Sequence, residues 1–313
     1  MKICFVACPK KFVVPWADLQ VRALRSWKQI DVDSEVCIVA PRADVESLPE
    51  GLADYAVVAK ENSLSKLPMF ADVMEVAYRE SDADVFCYLN SDIILPSNFG
   101  TIDFAQLDRK FLIIGSRWDM SEDAPYPDSL DPENIYEYLC EGIKSHSVTL
   151  HLPTGIDYFL FKRGTFEGIK PLVVGRGGYD AALLAFCLRS GIQLVDATEI
   201  FPVLHQFHDY SHISGAKKRV MQGEDATYNR ETHDIVHSGP IILDATFMMR
   251  DGKLIRKIWR CGILRRLELI IRFDWGFKYI SYFFRALDRL VGSLLRSGRQ
   301  GYRDYLSQIM SRS

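Results

Sequence analysis

Short apolar runs of strand length alternate along this chain with apolar positions at helical spacing. Residues 2 to 8, KICFVAC, predict a short buried strand, and a loop holding Pro9 and Pro15 follows. In WADLQVRALRSWKQ, Val21, Leu24 and Trp27 recur at near-helical intervals and predict a helix, and EVCIVA at 35 to 40 predicts a strand that stops at Pro41. The order then repeats. ADYAVVAK at 53 to 60 predicts a shorter strand, LPMFADVMEVAYRESDA a helix with Phe70, Val73, Met74 and Ala77 on one side, and VFCYL at 85 to 89 the most strongly buried strand.

Further along, FLIIGSRW at 111 to 118 predicts another strand, SEDAPYPDSLDPENI a proline-rich surface loop, and IYEYLCEGI a short helix. LPTGIDYFLFKR at 152 to 163 returns to strand character. YDAALLAFCLRSG predicts a helix closed by Gly191, and IQLVDAT one more strand. Such alternation argues for an α/β fold of three layers, a sheet with helices on both faces. The turn expected at MMRDGK divides a body, residues 1–252, from a C-terminal extension, residues 253–313.

Composition narrows the class. The 313 residues are 48% hydrophobic and 25% charged, ordinary values for a folded chain that can bury a large core. The seven Cys are scattered through apolar runs with no CxxC pair, which favours reduced core thiols in a cytoplasmic setting over a disulfide framework or a Cys-rich zinc site. The first apolar run is too short for a signal peptide, and no uninterrupted apolar segment reaches the roughly 18 residues of a spanning helix. The net charge of −3 hides an asymmetry: residues 253–313 hold 14 Lys and Arg against 4 Asp and Glu, the rest of the chain 24 against 37. The extension therefore faces a different partner from the body.

Three stretches carry candidate chemistry. In VFCYLNSDIIL, Asn90 and Asp92 stand just past five apolar residues, where loops at the carboxyl ends of strands build ligand sites. Asp92 suits a direct oxygen ligand to Mg²⁺ or Mn²⁺ bridging a diphosphate, and Asn90 suits ligation through its amide carbonyl or a hydrogen bond to a sugar. A helix cap or a loop hydrogen bond is the plainer role for an Asp so placed. In GRGGYDAALL, Asp180 falls in the first turn of a helix behind Gly177 and Gly178; it suits a general base for a hydroxyl, or simply an N-terminal helix carboxylate. In LHQFHDYSH, His205, His208 and His212 lie three and four residues apart, without HExxH and behind Pro202. A loop in which His208 completes a metal site or bonds a phosphate fits this better than a His-only zinc centre. Tyr210 and Lys217 or Lys218 follow closely and could close over a diphosphate. No P-loop, no GxGxxG after the first strand and no GxSxG elbow occurs.

Taken together, these motifs resemble the GT-A fold nucleotide-diphospho-sugar glycosyltransferases over about residues 1 to 250. YLNSDIIL occupies the place of that fold's Asp-x-Asp motif, with Asn90 where the first Asp commonly stands and Asp92 where the second stands. LPTGIDYFLFKR resembles the segment lining the donor and acceptor cleft, which makes Asp157 a candidate for binding sugar or acceptor hydroxyls. VGRGGYDAALL resembles the approach to the catalytic acid and places that role on Asp180, while LHQFHDYSH lies where a late metal-binding His is supplied. The resemblance implies a Rossmann-like three-layer fold with a mixed, mainly parallel sheet. It implies transfer of a sugar from a UDP- or GDP-sugar to an acceptor hydroxyl with Mn²⁺ or Mg²⁺ as cofactor. A metal-dependent hydrolase and a non-catalytic sugar-nucleotide-binding scaffold are the alternatives.

In the extension, Tyr279, Phe283, Ala286, Leu290 and Leu294 share one helical face with Arg285, Arg289 and Arg296 away from it. Aromatic residues interleaved with Arg suit an anionic lipid surface, hence peripheral attachment at the inner face of the membrane and a lipid-linked or envelope-glycan acceptor. Packing on the body or on a second copy of the chain is the other reading. No nucleic-acid module accompanies the basic stripe, so nucleic acid is not an expected partner.

Overall fold

The computed structural model describes residues 1–60, 67–124, 132–208, 220–235 and 239–257, with parts of 267–287. Nine strands form the principal sheet. In chain order they are β1 (Ile3–Ala7), β2 (Ser34–Ala40), β3 (Tyr55–Val58), β4 (Val85–Leu89), β6 (Phe111–Ile114), β9 (Tyr158–Lys162), β10 (Gln193–Asp196), β12 (Phe247–Arg250) and β13 (Lys253–Arg256). Their spatial order is β13-β12-β10-β6-β9-β4-β1-β2-β3. Seven strands run parallel to one another; β9, between β4 and β6, and β13, at the edge, run against them.

Helices cover both faces, as a sheet buried on two sides requires. On one face α1 (Trp16–Trp27) packs Ala23, Leu24 and Trp27 against Ile3, Phe5 and Ile38. On the other, α3 (Phe70–Glu80) and α5 (Tyr179–Arg189) bury Phe70, Val73, Ala182 and Leu183 against Cys4, Val6 and Phe86. Two further helices, α2 (Arg42–Val45) and α6 (Glu224–Thr232), lie at the surface of this body. The mixed, mainly parallel sheet with flanking helices is the Rossmann-like architecture expected. The six described cysteines, Cys4, Cys8, Cys37, Cys87, Cys140 and Cys187, are free thiols.

A second sheet was not expected. It joins β5 (Ile93–Ile94), β11 (Val203–His205), β7 (Arg117–Met120) and β8 (Val148–Leu150) in that order. The run FLIIGSRW, expected as one strand, splits at Gly115 and Ser116: β6 stays in the principal sheet and β7 crosses to the second. The break has a physical cause, because the Ser116 amide leaves the ladder to donate to Thr198 Oγ1 at 2.9 Å, and a Cβ at position 115 would collide with the Tyr158 hydroxyl. In the second sheet Trp118, Met120, Val148, Leu150 and Leu204 face α4 (Ile135–Ser145) and pack on Ile135 and Leu139. By the period-2 alternation of strands, Arg117, Asp119 and His205 then face the opposite way.

The turn at Asp251 and Gly252, expected as the boundary of the body, is a hairpin. Both residues have positive φ, 48° and 69°, as a type I′ turn demands, and residues 253–256 return as edge strand β13 rather than opening a helical extension. Lys257 follows, buried, with Nζ 3.0 Å from Asp196 Oδ2. Most of the remaining extension, including Arg285, Arg289, Leu290, Leu294 and Arg296, lies outside the described residues. Among the described residues no helix is long and apolar enough to cross a membrane.

Candidate metal and sugar-nucleotide site

β4 is buried along its whole length, and its end is a topological switch: β1 leads to β2 on one side, while β4 lies on the other side of β1. Crevices outside the carboxyl ends of such strands take ligands. Just past Leu89, the chain leaves the principal sheet and turns at Asn90, Ser91 and Asp92 into β5 of the second sheet. That turn is held by buried amides from two directions. Gln20 of α1 accepts from Ser91 Oγ at 3.0 Å and exchanges two hydrogen bonds with the Lys10 backbone, while the Gln206 side chain donates to the Leu19 carbonyl at 2.8 Å and the Asp92 carbonyl at 3.0 Å.

The pairing of the small sheet places the metal-type ligands. His205 ends β11 directly opposite Ile93, so its ring arrives beside Asp92. Asp92, His205 and His208 each offer a ligand atom within 4.8 Å of the others. Nε2 of His208 lies 3.0 Å and Nε2 of His205 3.6 Å from Asp92 Oδ2. Burial pushes the Asp92 carboxyl up, but the neighbouring His205 and His208 outweigh it and hold the group well below the usual carboxylate range. His205 shows the mirror image: burial lowers it, and Asp92 more than restores it. Asp92 Oδ1 is buried without a hydrogen-bond partner among the described residues. A buried oxygen left unpaired beside two converging imidazoles fits a divalent cation, which would satisfy all three groups.

From this centre a row of alternating acids and bases crosses the small sheet. His205 Nδ1 lies 3.4 Å from Asp119 Oδ1, His151 Nδ1 2.5 Å from Asp119 Oδ2, and Arg117 Nε 2.8 Å from Asp119 Oδ1. Arg117 then donates through Nη1 to Asp157 Oδ2 at 2.6 Å, and the Asn90 side-chain amide donates to the other Asp157 oxygen. Asp157, proposed from sequence to meet sugar hydroxyls, is only 4% exposed, with both oxygens engaged; it clamps Asn90 and Arg117. One N–H of Asn90 Nδ2 goes to Asp157, which leaves its second N–H and its amide oxygen to meet a ligand.

Asp180 arrives at the same edge of the sheet on the first turn of α5, behind Gly178, whose φ of 88° suits glycine. Tyr179 anchors that turn, its ring 6.1 Å from Tyr88 and 5.6 Å from Phe159. Burial pushes the Asp180 carboxyl up to about 6; a hydrogen bond from the Ala181 amide opposes this, and the charge of Asp157 adds to it. The carboxylate is thus not a cap stabilised in its ionised form but an acid held near neutrality.

The residues expected to meet here are brought together in part. Asn90 meets Asp157 and His208 meets Asp92, as two separate contacts, and Asp180 feels the field of Asp157; Tyr210, His212, Lys217 and Lys218 lie outside the described residues. Sequence reading passed over His205 as a ligand, and it missed Arg117, Asp119 and His151 altogether. The strict alternation in RWDM was the available signal. It also missed Lys10, whose ammonium stands 3.6 Å from the centroid of Trp16, which in turn packs edge-on against His208 at 4.8 Å. Burial lowers the Lys10 ammonium, Asp92 counters that shift and Arg176, itself paired with Asp225 at 3.3 Å, adds to it, so Lys10 lies within electrostatic range of both.

No protein-family model and no curated protein matches this chain. Solved structures similar to it include S. aureus TarS 1–349 in complex with UDP, at 14% identity and a TM-score of 0.28 over 41% of this chain and 39% of that one. They also include the mannosyltransferase PcManGT from Pyrobaculum calidifontis in complex with GDP-Man and Mn²⁺, at 12% identity and a TM-score of 0.41 over 99% of this chain and 84% of that one. Three TarS chains are matched over 39%, 35% and 58% of their length, less than two thirds of each. At such identities and scores the likeness is descriptive, and the functional argument rests on the side chains themselves.

The elevated Asp180 carboxyl has a consequence for stability. Its folded value of about 6 lies above the usual 3.8, so its stabilising contribution is complete below about pH 3.8 and is lost as pH rises through 6. Asp180→Asn, which keeps the acceptor for the Ala181 amide and cannot ionise, is expected to raise the unfolding free energy by about 1–3 kcal/mol at pH 8. The gain shrinks toward zero near pH 4; urea denaturation at the two pH values measures it.

Proposed function

We propose that this chain is a GT-A glycosyltransferase that moves a sugar from a nucleotide-diphosphate sugar to an acceptor hydroxyl. The observation that carries the proposal is the convergence of Asp92, His205 and His208, whose ligand atoms lie within 4.8 Å of one another at the end of β4, with Asp92 Oδ1 buried and unpaired among the described residues. Two imidazoles and one carboxylate form a donor set that hard Mg²⁺ accepts reluctantly, so Mn²⁺ is the better fit of the two cations. When bound there, the cation supplies Lewis-acid stabilisation of charge on the departing diphosphate.

The remaining roles belong to the chain. Asp92, His205 and His208 hold the cation, and Lys10 and Arg176 bring positive charge to the β1 side, where a nucleoside diphosphate enters a Rossmann-like crevice. Asn90 presents its amide oxygen to the cation or to a donor hydroxyl. Asp180 receives the proton of the acceptor hydroxyl: a carboxyl at about 6 is ionised at neutral pH yet basic enough to take part of a proton in the transition state. Lys217, which follows the histidine run in the sequence, supplies positive charge for the diphosphate.

A metal-dependent hydrolase would use the same three ligands to activate water. The transferase is favoured because a second carboxyl, Asp180, raised to about 6 and within the field of Asp157, is suited to act as base for an acceptor hydroxyl. For the extension, we propose attachment to an anionic membrane surface, with a lipid-linked or envelope glycan as acceptor. The interleaving of aromatic residues with Arg in its sequence is what supports this.

Turnover of a panel of UDP- and GDP-sugars with an acceptor screen tests the enzyme reading. At saturating Mn²⁺, kcat/KM is expected to rise through about pH 6 as Asp180 ionises and then level off. Asp180→Asn should lower kcat by about 10²–10⁴, and Asp92→Ala should abolish turnover with the fold retained. Metal-dependent release of free sugar that no acceptor can replace would favour the hydrolase. Removal of residues 258–313 is expected to abolish sedimentation with phosphatidylglycerol liposomes; unchanged sedimentation would remove the membrane proposal.

A further inference from the structure

A metal-binding imidazole must present one nitrogen as a lone pair, so the other nitrogen carries the proton, and whatever accepts that proton sets the tautomer and the ring angle. In His205, Nε2 is the nitrogen turned toward Asp92 and Nδ1 the one turned toward Asp119, 3.4 Å from Oδ1. The two residues are register partners on adjacent parallel strands β11 and β7, so the backbone itself sets this approach. Resting on the metal site proposed above, we propose that Asp119 is a positioning residue: its carboxylate accepts the Nδ1 proton of His205 and thereby aims the Nε2 lone pair at the cation.

Asp119 is suited to this because it is itself immobilised. His151 Nδ1 at 2.5 Å occupies one carboxylate oxygen, and Arg117 Nε at 2.8 Å holds the other, the oxygen that also faces His205. Arg117 is fixed in turn by its second bond, to buried Asp157 at 2.6 Å. The His151 ring is seated against Gly155, where any Cβ would run into the imidazole. A run of supports therefore leads from Gly155 through His151 and Asp119 to His205, and all of it lies on the polar face of the small sheet, whose other face packs on α4. Asp119 does not need to touch substrate or cation for this role. It fixes a ring whose own backbone sits at a strand end, where χ rotation is otherwise cheap.

The test is Mn²⁺ affinity of the full chain, read by electron paramagnetic resonance of free Mn²⁺, without nucleotide or acceptor. The wild type, Asp119→Asn, His205→Gln and the double variant form one cycle. Asp119→Asn is expected to weaken Mn²⁺ binding about 10–100-fold with far-UV circular dichroism unchanged. On the His205→Gln background, the same substitution should change the dissociation constant by less than about threefold, because its effect passes through that ring. Should the Asn variant fail to fold, Asp119→Glu, which keeps the charge and displaces it by one methylene, is read in the same two backgrounds with the same expectation of direction. An unchanged dissociation constant, or an equal loss on both backgrounds, overturns the positioning role while leaving the metal site standing. A wild type that binds no Mn²⁺ overturns both.

Discussion

A carboxylate withdrawn from water at the end of a buried strand must be given positive charge, and the arrangement of this molecule follows from how Asp92 obtains it. Desolvation pushes the Asp92 carboxyl up; two imidazoles brought from β11 and the residues after it more than reverse that shift. Delivering them takes a second sheet. β5 must leave the principal sheet immediately after β4 so that it can pair with β11, and β11 needs β7 and β8 to bury its other face on α4. The small sheet is thus the scaffold of the site, and the large sheet is what holds the scaffold at the switch point.

The balance of charge around this centre also separates two carboxylates by function. Asp92 sits among imidazoles and is driven to the ionised state, as a metal ligand must be. Asp180 lies on the first turn of α5 near Asp157, where the charge of Arg230 opposes burial without cancelling it, and its carboxyl is pushed up to about 6, which suits a group that accepts a proton. Asp157 is a third case, saturated by Arg117 and Asn90 and so given to architecture. Three aspartates of one crevice edge thereby take three roles from their surroundings alone.

Much of the large sheet was legible because its strands are apolar runs punctuated by turn residues, and VFCYL followed by Asn90 and Asp92 marked a fully buried strand and the turn that leaves it. The small sheet was not, because β5, β8 and β11 have two or three residues each, too few for alternation to register. That is why the histidine run read as a loop and His208 was chosen over His205: without β11 there was nothing to bring His205 to Asp92. The same blindness hid Arg117, inside the run FLIIGSRW expected as one strand, Asp119 just past that run, and His151, whose partner lies 32 positions away. The hairpin at Asp251 and Gly252 carried a strong local signal in its Asp-Gly pair, but the basic residues beyond it suggested a boundary.

The central claim is that Asp92, His205 and His208 hold a divalent cation against a nucleoside diphosphate. Anomalous diffraction from crystals soaked in Mn²⁺ with UDP or GDP tests it most directly. A manganese peak held by Asp92, His205 and His208, with the nucleotide's diphosphate beside it, is the expected result. Manganese bound elsewhere, or nucleotide seated in the crevice with these three side chains unligated, would contradict it.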